Sequence, residues 1–174
     1  MEFVFETTYN KKALEDMAKS MRKTVRKKST KRSNVMMLII IILTILITLP
    51  SIKNPEEIKP IFVFDWIVVV VLIIVWFFQD KINAYVASKK MIKGSEKAKC
   101  TFKEEVYVSD AQIGKTEFKY DCILEIAETE NYFIFLLDKI HAQAYDKNML
   151  SGGTVDEFRK FIEEKTNIKV KKVK

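Results

Sequence analysis

Two apolar runs, Val35–Leu49 and Ile61–Phe78, constrain this chain more than any other feature, and a short polar connector with Pro50, Pro55 and Pro60 separates them. The second run holds 18 residues and a single charge, Asp65, and as a helix rising about 1.5 Å per residue it is roughly 27 Å long. The first holds 15 residues interrupted only by Thr44 and Thr48; with Ser33, Asn34 and Pro50 it reaches the length of a thin-bilayer span. A chain of 174 residues has room for one modest soluble domain, and such a domain could not cover two helices that are apolar on every face. The first run also starts too far into the chain for a signal peptide, lacks a small-residue cleavage site and is followed by a second span. The pattern predicts a transmembrane hairpin over residues 34–80, with spans at about 34–50 and 61–79.

The charge distribution orients that hairpin. Lys and Arg total 30 against 23 acidic residues, a formal +7. Ten of the basic residues fall in Lys11–Arg32, opposed only by Glu15 and Asp16, and the rest of the chain is close to neutral. The excess belongs beside the first span, so no nucleic-acid partner is needed to account for it. The connector Ser51–Pro60 carries only Lys53 and Lys59, whereas Lys81, Lys89, Lys90 and Lys93 follow the second span. By the positive-inside bias, both termini are expected in the cytoplasm of a multi-pass cell-membrane protein, with the connector outside. Each proline in the connector is expected to interrupt helix continuation, and Trp66 and Trp76 suit the two interfaces. Asp65, about one turn from the outer boundary, reads either as a carboxylate reaching headgroups or as an intramembrane polar site.

Residues 1–33 read as a strand, Glu2–Glu6, and a basic amphipathic helix. Leu14, Met17, Ala18, Met21 and Val25 recur at steps of three and four, the helical period. Arg22, Lys23, Arg26, Lys27, Lys28, Lys31 and Arg32 are candidates for contact with the anionic inner leaflet of the lipid bilayer. Packing of the apolar face on the soluble domain is the alternative, and both can hold at different points along the helix.

Residues 81–174 change grammar. The helix is expected to continue through Asp80–Lys93 and stop at Gly94-Ser95. Cys100–Val108 alternates as a strand around Phe102, Val106 and Val108, and a turn follows near Ile113–Lys115. CILEIA and NYFIFLL flank Glu128–Glu130 as a hairpin, with the unbroken apolar Tyr132–Leu137 as a central strand covered on both faces. Ile140–Tyr145 alternates again, and Thr154-Val155-Asp156-Glu157 forms a capping box that opens a helix with Val155, Phe158, Phe161 and Ile162 facing the core. The fold class is α+β: the two-helix transmembrane hairpin with a small cytosolic antiparallel sheet and a C-terminal helix; the sequence leaves open whether the N-terminal strand, which would have to reach back across the hairpin, joins that sheet.

This order of elements resembles the YcxB-like family of small bacterial membrane proteins. The resemblance lies in FVFETTYNKKALEDM, the two adjacent spans, and FKYDCILEIAETENYFIFLLDKIHAQAYDKNMLSGGTVDEFRKFIEEK; Asp146-Lys147 stands where that family carries a Pro-Lys pair. The resemblance implies a membrane-anchored cytosolic domain of pleckstrin-homology-like fold, with links to self-protection against a bacteriocin or toxin, and it brings no catalytic residue.

No constellation for catalysis emerges. One histidine, His141, and two cysteines, Cys100 and Cys122, fall short of the four ligands a zinc site requires. His141 reads as a solvent-facing or satisfied side chain on a strand face shared with Gln143 and Tyr145, and the cysteines as free thiols in a reducing compartment. Gly152-Gly153 lacks the spacing of a phosphate loop and reads as a flexible turn before the Thr154 cap. No catalytic, cofactor or metal site is expected. Four functional classes stay open: an interaction protein with a protein partner, a self-immunity protein, an oligomeric channel or transporter subunit with Asp65 facing a lumen, and a lipid-binding regulator.

Overall fold

The computed structural model describes residues 2–53 and 60–173, side chains within 49–62 excepted; most of the expected connector, with Pro55, lies outside the described residues. The described residues contain β1 (Phe3–Thr8), α1 (Lys11–Lys23), α2 (Lys27–Lys53), α3 (Pro60–Lys90), β2 (Lys97–Phe102), β3 (Val106–Ala111), β4 (Gly114–Lys119), β5 (Glu125–Glu128), β6 (Tyr132–Leu136), β7 (Ala142–Asp146), β8 (Leu150–Ser151), α4 (Val155–Thr166) and β9 (Lys171–Lys172). They divide into two units: residues 1–27 with 83–174, and residues 28–82.

The first unit is α+β, built on two sheets where the sequence predicts one. The order β4-β3-β2-β1-β8 makes an antiparallel sheet, and β7-β6-β5-β9 a second in which β9 runs parallel to β5. β1 buries Phe3, Phe5 and Thr7 on alternate positions, as the two-residue period of a strand requires. It pairs antiparallel with β2 from Phe3↔Phe102 to Thr8↔Lys97, and Val4 and Phe5 pair with Ser151 and Leu150 on its other side. The N-terminal strand thus sits inside a sheet made otherwise from the C-terminal half.

β6 is buried at every position, as expected for a strand covered on both faces. Phe133 and Phe135 face a cluster with Phe5, Phe102 and Phe158, while Tyr132, Ile134 and Leu136 face a second cluster with Ala13 and Met21 of α1. The Asn10 side chain caps α1 by accepting from the Ala13 amide at 2.9 Å. On α4 the capping box is complete, Thr154 and Glu157 each accepting from the other's backbone. The Phe158 ring then lies 4.6 Å from Phe5, 4.9 Å from Phe102 and 5.1 Å from Phe133.

Local corrections have physical causes. Cys100–Val108 is not one strand: β2 ends at Phe102, and Lys103 N–H donates to the Val106 carbonyl at 2.9 Å across a turn. Phe102 and Tyr107 are both fully buried and stack at 5.3 Å; five positions apart on one strand they would point to opposite faces. α2 runs through Pro50 to Lys53, so this proline lies in the last turn of a helix instead of ending it. Gly152 and Gly153 are constrained, not flexible. Gly152 takes φ +90°, and a Cβ there would meet the Glu2 carbonyl oxygen at 2.0 Å; one on Gly153 would meet the Phe3 ring at 2.5 Å.

In the second unit, α2 and α3 are long and apolar enough to cross a membrane. Their apolar side chains lie almost entirely on the surface: Ile47 is 66% and Phe77 80% exposed.

Candidate functional site

The basic residues singled out in the sequence occupy three local settings. Arg22 and Lys23 form the last turn of α1, where cations complement the helix dipole. Arg26 lies in the following turn and its Nε donates to the Lys139 carbonyl. Lys27, Lys28, Lys31 and Arg32 are exposed along the first turns of α2, whose first turn has no acidic residue. Cations at a helix N-terminus oppose its dipole, by roughly 0.3–1 kcal/mol each at low salt. They do not stabilise the helix that carries them. The apolar face of α1, by contrast, is spent on the domain: Ala13, Leu14 and Met21 are buried, and Met17, with Val25 from the turn that follows, packs partly buried on the cluster that holds Ala13 and Met21.

Asp65 falls in the second turn of α3, half-buried, with no ion-pair partner among the described residues. Three other polar side chains of the helical unit bond to their own helix. Thr44 Oγ1 donates to the Ile40 carbonyl, Thr48 Oγ1 to the Thr44 carbonyl, each at 2.9 Å, and Gln79 Nε2 to the Trp76 carbonyl at 3.1 Å.

Sequence reasoning missed a buried ionic clamp. Glu128, 7% exposed, accepts Lys147 Nζ at 3.0 Å on Oε1. Arg159 Nε reaches Oε2 and Nη2 reaches Oε1, both at 2.8 Å. Lys147 also donates to the Thr129 carbonyl at 2.8 Å, and both cations lie within 6 Å of the Phe133 ring centroid, at 5.7 and 5.9 Å. Burial by itself raises the Glu128 carboxyl, but the hydrogen bonds from Arg159 and Lys147 outweigh it and hold the group below the usual carboxylate range. The clamp ties β5 to α4 and to the turn after β7. With both oxygens engaged by cations, Glu128 is a fastening and not a free base. The only sequence signal was an acidic residue closing an apolar strand, which does not name its partners.

The remaining chemistry-bearing residues are dispersed. Cys100 and Cys122 are free thiols, and burial pushes the Cys100 thiol up to about 12, away from the reactive thiolate form. Gln143 Oε1 accepts the Tyr145 hydroxyl at 2.7 Å and the Tyr107 hydroxyl at 3.1 Å, and burial raises both phenols. His141 is not on the strand face with these residues. It precedes β7 in an exposed turn, where its Nδ1 lies 2.6 Å from Asp138 Oδ2; that contact holds Asp138 down at about 2. Among the described residues no three acidic, histidine or cysteine side chains gather as a metal site. Comparison with family models, with curated proteins and with solved structures returned no match to this chain.

Proposed function

We propose that the chain is a two-span cell-membrane protein with both termini in the cytoplasm, whose split α+β unit is a pleckstrin-homology-like interaction domain of the YcxB type. One observation carries this reading: β1 and β2 pair over six consecutive residues, although α2 and α3 stand between them in sequence. Strands that hydrogen-bond lie on one side of a bilayer, so the intervening helices cross it an even number of times. Two apolar, outward-facing helices meet that requirement as a hairpin. The basic residues on both flanks of the pair favour the cytoplasm for that side.

Within this topology the domain acts by binding, not by catalysis: its buried carboxylate is fully engaged and its buried thiol is protonated. Self-protection against a bacteriocin or toxin is the role the YcxB resemblance suggests, the hairpin meeting the agent and the domain reporting or holding it. The test is a strain lacking the gene, challenged with peptide bacteriocins and with toxins encoded beside it. Sensitivity to one agent, reversed by the intact gene, is expected; unchanged sensitivity across the panel sinks the protective role and leaves the binding domain. The cations at the N-terminus of α2 favour a second reading, contact with anionic lipid. That reading expects the parent's contact with anionic vesicles to weaken steeply with salt, and the variants Lys27→Gln, Lys28→Gln and Lys31→Gln to bind more weakly and with a shallower salt dependence.

A further inference from the structure

Among the described residues, β4 is the long strand with an open edge. It ends the order β4-β3-β2-β1-β8, and every residue in it except the half-buried Phe118 is exposed. The other sheet ends are shorter or engaged: β8 and β9 hold two residues each, and the Asp146 N–H of β7 donates to Thr7 Oγ1 at 3.0 Å. Ala111 pairs with Gly114 across a two-residue turn, a closing pair in which the two residues exchange both hydrogen bonds. The alternation of an antiparallel ladder then commits Gly114, Thr116 and Phe118 to β3. It points the N–H and C=O groups of Lys115, Glu117 and Lys119 outward. None of these three side chains has an ion-pair partner among the described residues.

An open edge is a template for another strand, and the charges select which one. We propose that β4 is a self-association edge, where two copies of the chain join antiparallel about a two-fold axis at Thr116 and form one continuous sheet. In that register Lys115 stands opposite Glu117 of the second copy, and symmetry repeats the pair in the other direction. Both are hydrogen-bonded pairs of opposite charge, and Thr116 meets its own counterpart on the other face, a favourable threonine pair. Behind Lys115 on β3 stands Asp110, so the charges alternate along the row that crosses the joint. Neighbouring registers are worse. A two-fold axis at Glu117 sets Lys115 against Lys119 and Glu117 against itself. One at Phe118 pairs Glu117 with Lys119 but runs off the strand into the 3-10 turn Tyr120–Cys122. Lysines alone on an edge would keep copies apart; the glutamate between them makes this edge selective for its own copy.

The experiment follows sedimentation of the full-length chain in a neutral detergent over a range of concentrations. The parent is expected to show a monomer–dimer equilibrium. Lys115→Glu or Glu117→Lys alone turns both pairs into like charges and weakens association about tenfold or more. An equimolar mixture of the two variants restores it, because every pair across the joint is again of opposite sign. Both positions are exposed, so the melting of each variant stays close to the parent's and reports an intact domain. Thr116→Cys fixes the register. A non-hydrogen-bonded pair holds its Cα atoms about 4.5 Å apart, within reach of a disulfide. Oxidation with diamide therefore links two copies of this variant and not two of the parent, which carries the same Cys100 and Cys122. A parent that stays monomeric at every concentration overturns the proposal. So does a dimer that both charge variants retain, which places the contact on another surface, or a mixture of the two that stays dissociated.

Discussion

The two units solve the same problem in opposite ways. In residues 1–27 with 83–174, large apolar side chains go inside: Phe5, Phe102, Phe133, Phe135 and Phe158 are fully buried, and the buried carboxylate of Glu128 is matched by two cations. In residues 28–82, isoleucines, valines and phenylalanines cover the outside, and hydroxyls bond back to their own helix. The first unit hides its apolar groups from water, and the second exposes them, a surface that suits the apolar solvent of the proposed membrane reading, where polar groups are satisfied within their own helix. The difference teaches that hydropathy alone does not say where a side chain goes; what surrounds the element does.

The largest effect that tests this contrast comes from the aromatic core. Phe158→Ala removes the ring that contacts Phe3, Phe5, Phe102 and Phe133 and is expected to destabilise the first unit by about 3–5 kcal/mol. Near-UV circular dichroism with denaturant reads this, while membrane fractionation stays unchanged. Leu46→Arg is the mirror experiment. On exposed α2 surface it leaves the melting of the first unit unaltered but disfavours membrane insertion by roughly 3 kcal/mol. Full retention of the variant in the membrane fraction would break the comparison.

Glu128→Gln comes next, at about 2 kcal/mol after allowance for the partial exposure of Arg159, because two partly buried cations lose their buried counter-charge. Glu128 has a depressed pKa in the folded state. Its stabilisation is therefore complete above the unfolded carboxylate value of about 4.3 and is lost as pH falls through the folded value. Stability measured from pH 6 downward should fall less steeply in the variant than in the parent; identical slopes would count against the clamp. The smallest effect is Thr154→Ala, which deletes one half of the capping box and costs about 1 kcal/mol in the same denaturation assay.

Much of this architecture is legible residue by residue. The amphipathic spacing of Leu14, Met17 and Met21, the apolar Tyr132–Leu136 stretch, the turn at Glu128–Glu130 and the Thr154–Glu157 cap are local signals, and each element formed where its signal lay. The failures occurred where a local pattern was compatible with two outcomes. Alternation across Cys100–Val108 did not reveal the turn at Lys103–Glu105, because the stacking of Phe102 on Tyr107 that demands it is a contact. The ionic clamp was equally hidden: Glu128, Lys147 and Arg159 come from three separate stretches, and only the folded unit brings them together.

The sequence by itself determined that two helices would be apolar on every side, that basic residues would flank them and that the rest would be α+β, since length, period and capping are properties of neighbouring residues. Tertiary structure alone decided that β1 joins β2 across both helices, that Thr7 Oγ1 accepts the Asp146 amide at a separation of 139 residues, and that Glu128 meets Arg159 31 residues away. Such pairings are selected by the burial and hydrogen bonding of the whole unit, and no short stretch of chain encodes which distant partner will satisfy it.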